Sequence, residues 1–177
     1  MEHIWTIEKW TRNPAIIEES RKTGLRLRFE KDVDPDVKRE CLEFAKWLRK
    51  EYHFPVRVCV YIKNKRRIKA IDGEYVCGTF WRPDNYRDYP FIRLAAGDYS
   101  EMCSEEGPVN AIYEIILCMA HELTHYYQWI NSLKLTLIGE ERQAQNYSSF
   151  ILNEYIDHKE HRTSNTHGTE STGTQNH

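Results

Sequence analysis

The spacing of apolar and polar residues divides the chain into segments of different period. Leu25 to Glu30 (LRLRFE) alternates apolar with charged residues, the period-two signature of a half-buried strand. Asp34-Pro35-Asp36 then offers an N-cap, a first-turn proline and an early carboxylate, and Val37, Cys41, Phe44, Ala45 and Leu48 recur at helical spacing behind it. Val56 to Ile62 (VRVCVYI) alternates again and is rich in β-branched residues. Asp72-Gly73 is a hairpin turn signal, so Tyr75 to Trp81 (YVCGTFW) is expected to return beside that strand. Phe91 to Ala96 (FIRLAA) reads as a further strand, ended by Gly97-Asp98. After Gly107-Pro108 the period becomes helical, and 109–130 is the longest apolar-periodic segment. A last helix is expected over 140–157. Residues 1–20 read as a loosely amphipathic leader, helical after Pro14.

These elements predict an α+β fold: a small, twisted, mostly antiparallel sheet packed on two or three helices, the last two adjoining each other. With 177 residues the chain suits one domain, expected over 1–158. From 159 to 177 it is nearly devoid of apolar residues and is expected to be a disordered polar tail.

Composition narrows the function classes. Apolar residues make up 40% and charged residues 29%, the balance of a soluble globular chain. The net charge of −2 gives no overall attraction to nucleic acid or anionic membrane, so neither is expected as a partner. The basic run Lys63-Asn64-Lys65-Arg66-Arg67, with Trp81 and Tyr86 as nearby aromatics, is read as a solvated loop. Five cysteines (Cys41, Cys59, Cys77, Cys103, Cys118) without a C-x-x-C pair indicate neither a disulfide framework nor a thiolate zinc site. Reduced thiols in a cytoplasmic protein are expected, there being no signal-peptide pattern and no apolar run long enough to span a bilayer.

The chemistry concentrates at His121-Glu122-Leu123-Thr124-His125, an H-E-x-x-H match inside the long apolar helix. Residues four apart share a helix face, so two imidazoles one turn apart can meet one ion. Glu122 falls about 100° around from His121, near the ion without being an obvious ligand. Ile112, Ile116, Leu123 and Ile130 cluster on roughly the opposite face, so this helix is expected to be buried on both sides. A two-histidine site needs a third protein ligand and an open position. Gln128 and Asn131 exclude the extended form that would place Gly and His there. Glu140 and Glu141, opening the next helix, are both candidates.

HELTH followed by Glu141-Arg142-Gln143-Ala144 and Tyr147 resembles the gluzincin metallopeptidases, and the helix-to-helix arrangement is similar to ImmA/IrrE-type minimal zincin domains. The resemblance covers about residues 89–157. It implies a zincin-like fold with Zn2+ held by His121, His125 and Glu141, while Glu140 stays a competing ligand. It implies that Ala144 lets the two helices approach closely. It also implies that the strand from Phe91 lies at the sheet edge by the cleft and pairs with an extended peptide. Gln145 stands where relatives carry a residue that supports a ligand histidine. The implied function is zinc-dependent peptide hydrolysis, more endo- than exopeptidase, with Glu122 as general base toward metal-bound water. A protein or peptide substrate is expected, and by resemblance a regulatory protein partner is possible. The alternative is a catalytically silent zinc-binding domain acting as a protein-binding regulator. Tyr147, Tyr155 and His158 are candidates for stabilising the oxyanion, and Cys118, one turn before the motif, for the floor of the site.

Overall fold

The computed structural model describes residues 3–19 and 21–167. Six strands and four α-helices follow one another: β1 (Leu25–Phe29), α1 (Pro35–Glu51), β2 (Val58–Lys63), β3 (Ile68–Lys69), β4 (Tyr75–Val76), β5 (Gly78–Trp81), β6 (Phe91–Ala95), α2 (Tyr99–Glu106), α3 (Pro108–Ile130) and α4 (Leu137–His167). The class is α+β, as the sequence indicates.

The sheet differs from expectation. Its order is β1-β2-β6-β5, with β1–β2 and β2–β6 parallel and only β5–β6 antiparallel. The expected mostly antiparallel sheet is therefore corrected to a mixed, largely parallel one. The reason lies in α1: a 17-residue helix between β1 and β2 supplies the crossover that a parallel pair requires. The Asp72-Gly73 turn does form a hairpin, but between the two-residue strands β3 and β4. The chain bends at Cys77, so β5 pairs with β6 and not with β2. Consequently β6 is an interior strand, not the edge, and β5 is the edge by the cleft.

Inward residues Val58, Val60, Ile62, Ile92 and Leu94 are fully buried against the helices. Asp34 caps α1 by accepting from the Asp36 N–H at 2.8 Å, with Pro35 at the first position. Gly107 takes φ 85°, a conformation natural to glycine, where α2 ends and α3 begins. Helix α2 has no counterpart among the expected elements, since its weak apolar pattern leaves only Tyr99 buried. The described part of the leader packs on the core. Ile4, Trp5 and Ile16 join the core, and the Trp5 indole N–H donates to Thr124 Oγ1 at 3.0 Å on the back of α3. Its one regular element is a 3-10 turn at Lys9–Arg12, before Pro14 rather than after it.

The expected tail is also partly corrected: α4 continues through 159–167, and Lys159 reaches Glu40 of α1 at 2.9 Å. A polar stretch prolongs a helix already nucleated by packing, because each further residue adds one hydrogen bond. Residues 168–177 lie outside the described residues. Among the described residues no helix is long and apolar enough to cross a membrane.

Tyr126 of α3 ties the start of β2 to the helix layer. Its hydroxyl donates to the Val56 carbonyl at 2.7 Å and accepts the Val56 N–H at 3.2 Å, in a fully buried setting. Tyr126→Phe leaves both backbone groups without a partner. We expect a loss of about 1–3 kcal/mol in urea unfolding at unchanged m-value; a midpoint equal to wild type would contradict this.

Candidate metal centre

Helix α3 carries the H-E-x-x-H motif with both faces covered. Ile116 and Leu123 are fully buried, and Glu122 (6% exposed) and His125 (9%) are buried too. Helix α4 packs along it, with Ala144 fully buried in the contact. A small residue there permits the close approach that lets a first-turn side chain of α4 reach α3. The Thr136 hydroxyl caps α4 by accepting the Gly139 N–H at 3.1 Å, which fixes the turn preceding Glu141.

These elements bring the three expected ligands together. His121 Nε2 and His125 Nε2 are 3.3 Å apart. Glu141 Oε2 lies 3.3 Å from His121 Nε2, and Glu141 Oε1 lies 3.3 Å from His125 Nε2. A tetrahedral ion with bonds of about 2.0–2.1 Å separates its donors by about 3.3–3.4 Å. The two imidazole nitrogens thus stand one such edge apart, Glu141 faces each of them with a different carboxylate oxygen, and the group could hold a metal ion. Glu140, the competing candidate, is turned elsewhere: Arg82 binds its carboxylate with two N–H groups at 3.2 and 3.4 Å.

The tautomer of His125 follows from its neighbour. Gln128 Nε2 faces two acceptors, the Glu140 carbonyl at 2.9 Å and Gln143 Oε1 at 3.1 Å, so its amide nitrogen is fixed there. Its Oε1 must then accept from His125 Nδ1 at 2.8 Å. His125 therefore carries its proton on Nδ1 and presents the Nε2 lone pair to the cluster. Burial and the adjoining His125 lower the His121 pKa, which keeps that imidazole neutral as a ligand must be.

Glu122 projects beside the cluster. Burial, reinforced by the Glu141 carboxylate, pushes its pKa up to about 8, while the Phe80 backbone N–H pulls the other way. A carboxyl group so buried, next to three convergent side chains, marks a candidate functional site on physical grounds.

The floor of the cleft holds a feature that the cysteine spacing did not disclose. Cys77, at the bend before β5, is disulfide-bonded to Cys118 of α3, across 41 residues of sequence and a Cα separation of 6.4 Å. The expectation of five free thiols is corrected; Cys41, Cys59 and Cys103 remain free. No local motif marks the pair, because only the fold brings the bend against the helix. Cys118 does lie at the floor, as expected. Gly78 follows Cys77, and a Cβ there would come within 2.9 Å of Cys118 Sγ, Glu122 Cγ and Leu94 Cδ2. Glycine is what allows β5 to lie directly over the motif.

The oxyanion candidates do not reach the cleft, whose volume is about 1030 Å³. Tyr155 packs in the core against Phe44 and Trp47, His158 lies by Trp47, and Tyr147 sits edge-on to His3. Gln145 lines the cleft, but the residue that supports a ligand histidine is Gln128. Its signal was available in the sequence, three positions after His125 on the same helix face. Comparison with protein-family models, curated proteins and solved structures yields no match in any of the three, so the meaning of the site rests on its geometry.

Gln128→Leu removes the acceptor for His125 Nδ1–H and both links to α4 at nearly constant volume. Affinity for a divalent metal ion is expected to fall about 10–100-fold in a competitive chelator titration, with Gln128→Glu losing less. Unchanged affinity in Gln128→Leu would show that the amide does not orient the ligand.

Proposed function

We propose that this chain is a zinc-dependent metallopeptidase in which His121, His125 and Glu141 hold the ion and Glu122 is the general base. The observation that carries the reading is the pair of imidazole nitrogens 3.3 Å apart, each also 3.3 Å from one oxygen of the Glu141 carboxylate, beside the buried carboxyl group of Glu122. Two imidazoles and one carboxylate in a compact array suit zinc, whereas magnesium and calcium take six or more oxygen ligands. Three protein donors leave a position for solvent, the arrangement of catalytic rather than closed structural sites. When bound, zinc supplies a Lewis acid that polarises a carbonyl and acidifies water.

The chain's own residues supply the rest. Glu122 stands one position around the helix from His121, and the nearby positive charge of a cation draws its raised pKa back toward the working range. As carboxylate it takes the proton of the attacking water, and as acid it returns that proton to the leaving amine. Gln128 keeps His125 in the ligating tautomer.

The substrate side of the cleft is the edge strand. Strand β5 pairs only with β6, so its other edge can add an extended peptide as a further strand. This role, expected of the strand from Phe91, passes to Gly78–Trp81. A peptide laid along β5 runs past the histidines in mid-segment, which favours endopeptidase action on protein or peptide substrates.

Glu122→Gln preserves shape and removes the base. We expect it to keep zinc while hydrolysis of an unfolded, fluorescently labelled casein falls by about 10²–10⁴-fold. A variant that retains both zinc and the wild-type cleavage rate would overturn the role given to Glu122.

A further inference from the structure

The four-stranded sheet has two faces, and the helices cover only one of them. Alternate residues of β1, β2, β6 and β5 point into the core, while the residues between them form an outer face. Register places Arg26, Cys59, Phe91 and Trp81 in one row across that face, and Arg28, Tyr61, Arg93 and Thr79 in the next. The rings adjoin: Trp81 stacks on Phe91 at 5.2 Å with an interplanar angle of 14°, and Tyr61 stands edge-on to Phe91 at 6.1 Å. Tyr61 is 38% and Trp81 39% exposed, high for large aromatics on a sheet.

Every charged residue within the four strands is basic. None of the four strands contains Asp or Glu, although the whole chain is net acidic. Arg26 and Arg28 are exposed, and among the described residues neither has an ion-pair partner. Arg93 donates to Thr79 Oγ1 and to the Lys69 carbonyl, which leaves its charge unneutralised. Lys63, at the end of β2, is the member that is compensated, by Glu30 at 3.2 Å.

We propose that this outer sheet face binds single-stranded nucleic acid, with Tyr61, Trp81 and Phe91 receiving bases and Arg26, Arg28 and Arg93 receiving phosphates. Exposed rings flanked by unpaired cations match a polyanion whose units carry flat π faces. An anionic membrane would call for protruding aliphatic side chains, and the face has none. An acidic peptide would use the cations and leave the rings idle. A duplex keeps its bases stacked out of reach of rings on a flat sheet. The basic run Lys63 to Arg67, read above as a solvated loop, is not the surface involved. Arg66 pairs with Glu101 and Arg67 with Asp98 at 2.6 Å, and Tyr86 packs on Trp129. The proposed face lies on the side of the sheet away from α3 and is independent of the metal centre.

The test is fluorescence anisotropy with labelled oligothymidylate and oligouridylate of about 15 nucleotides. The full-length Glu122→Gln protein serves as the binding species, so that no cleavage intervenes. Binding to the single strands is expected to weaken with salt and to exceed binding to a duplex of the same length. Tyr61→Ala should weaken it about tenfold through lost stacking. Arg26→Glu with Arg28→Glu should weaken it further and flatten the salt slope by about 0.7 per lost phosphate contact. Circular dichroism and zinc loading equal to the parent protein establish that the variants are folded. Three results would each overturn the proposal: no binding to either single strand, equal binding to the duplex with no effect of Tyr61→Ala, or preferential binding to phosphatidylserine vesicles or polyglutamate.

Discussion

The approach of one carboxylate to a pair of imidazoles organises this molecule. Glu141 reaches His121 and His125 because α4 lies close along α3, and it lies close because Ala144 is small and buried at the crossing. Thr136 fixes where α4 begins, and Gln128 bridges the helices from His125 to the Glu140 carbonyl. Arg82 draws the Glu140 carboxylate away from the cluster, so the neighbouring residue is the one that faces the histidines. These contacts act together: a shift of α4 by one residue would carry Glu141 about 100° around the helix and out of the cluster.

The cluster is held against opposing electrostatics, which gives it meaning. The pKa of Glu122 is raised by burial and by the carboxylate beside it, and that of His121 is lowered by burial and by a second imidazole. Packing alone would favour apolar residues at such positions. Departures from that preference at one point in an otherwise consistent core are expected where chemistry is done. The floor beneath is equally specific: the Cys77–Cys118 bond and Gly78 bring the edge strand down onto Glu122, so Glu122, the His121–His125–Glu141 cluster and the open strand edge share one cleft.

Sequence and structure agree wherever the information is local. The Asp34-Pro35 start of α1, the Gly107-Pro108 start of α3 and the two-sided burial of the motif helix follow from caps and period. So does the meeting of His121 with His125, since a helix sets that spacing. The acid that joins the two histidines was legible only as a choice of two, because the Thr136 cap and the hold of Arg82 on Glu140 decide which glutamate faces back. What was not legible is non-local. Strand period does not say which strand neighbours which, so β6 was expected at the edge and β5 beside β2. The disulfide joins residues 41 apart through a bend at Cys77 that no pattern marks. The oxyanion candidates were chosen by residue type, but Tyr155 is needed in the core and Tyr147 against His3. The unpaired basic and aromatic face of the sheet also depends on register, and so it escaped a reading based on overall charge.

Equilibrium zinc titration of the metal-free chain, read by competition with a chromophoric chelator, tests the central claim most directly. The account predicts one tight site per chain that is abolished by His121→Ala and severely weakened by Glu141→Ala, while Glu140→Ala leaves it nearly intact. A wild-type chain that binds no zinc, or a His121→Ala variant that binds it as tightly as wild type, would contradict it.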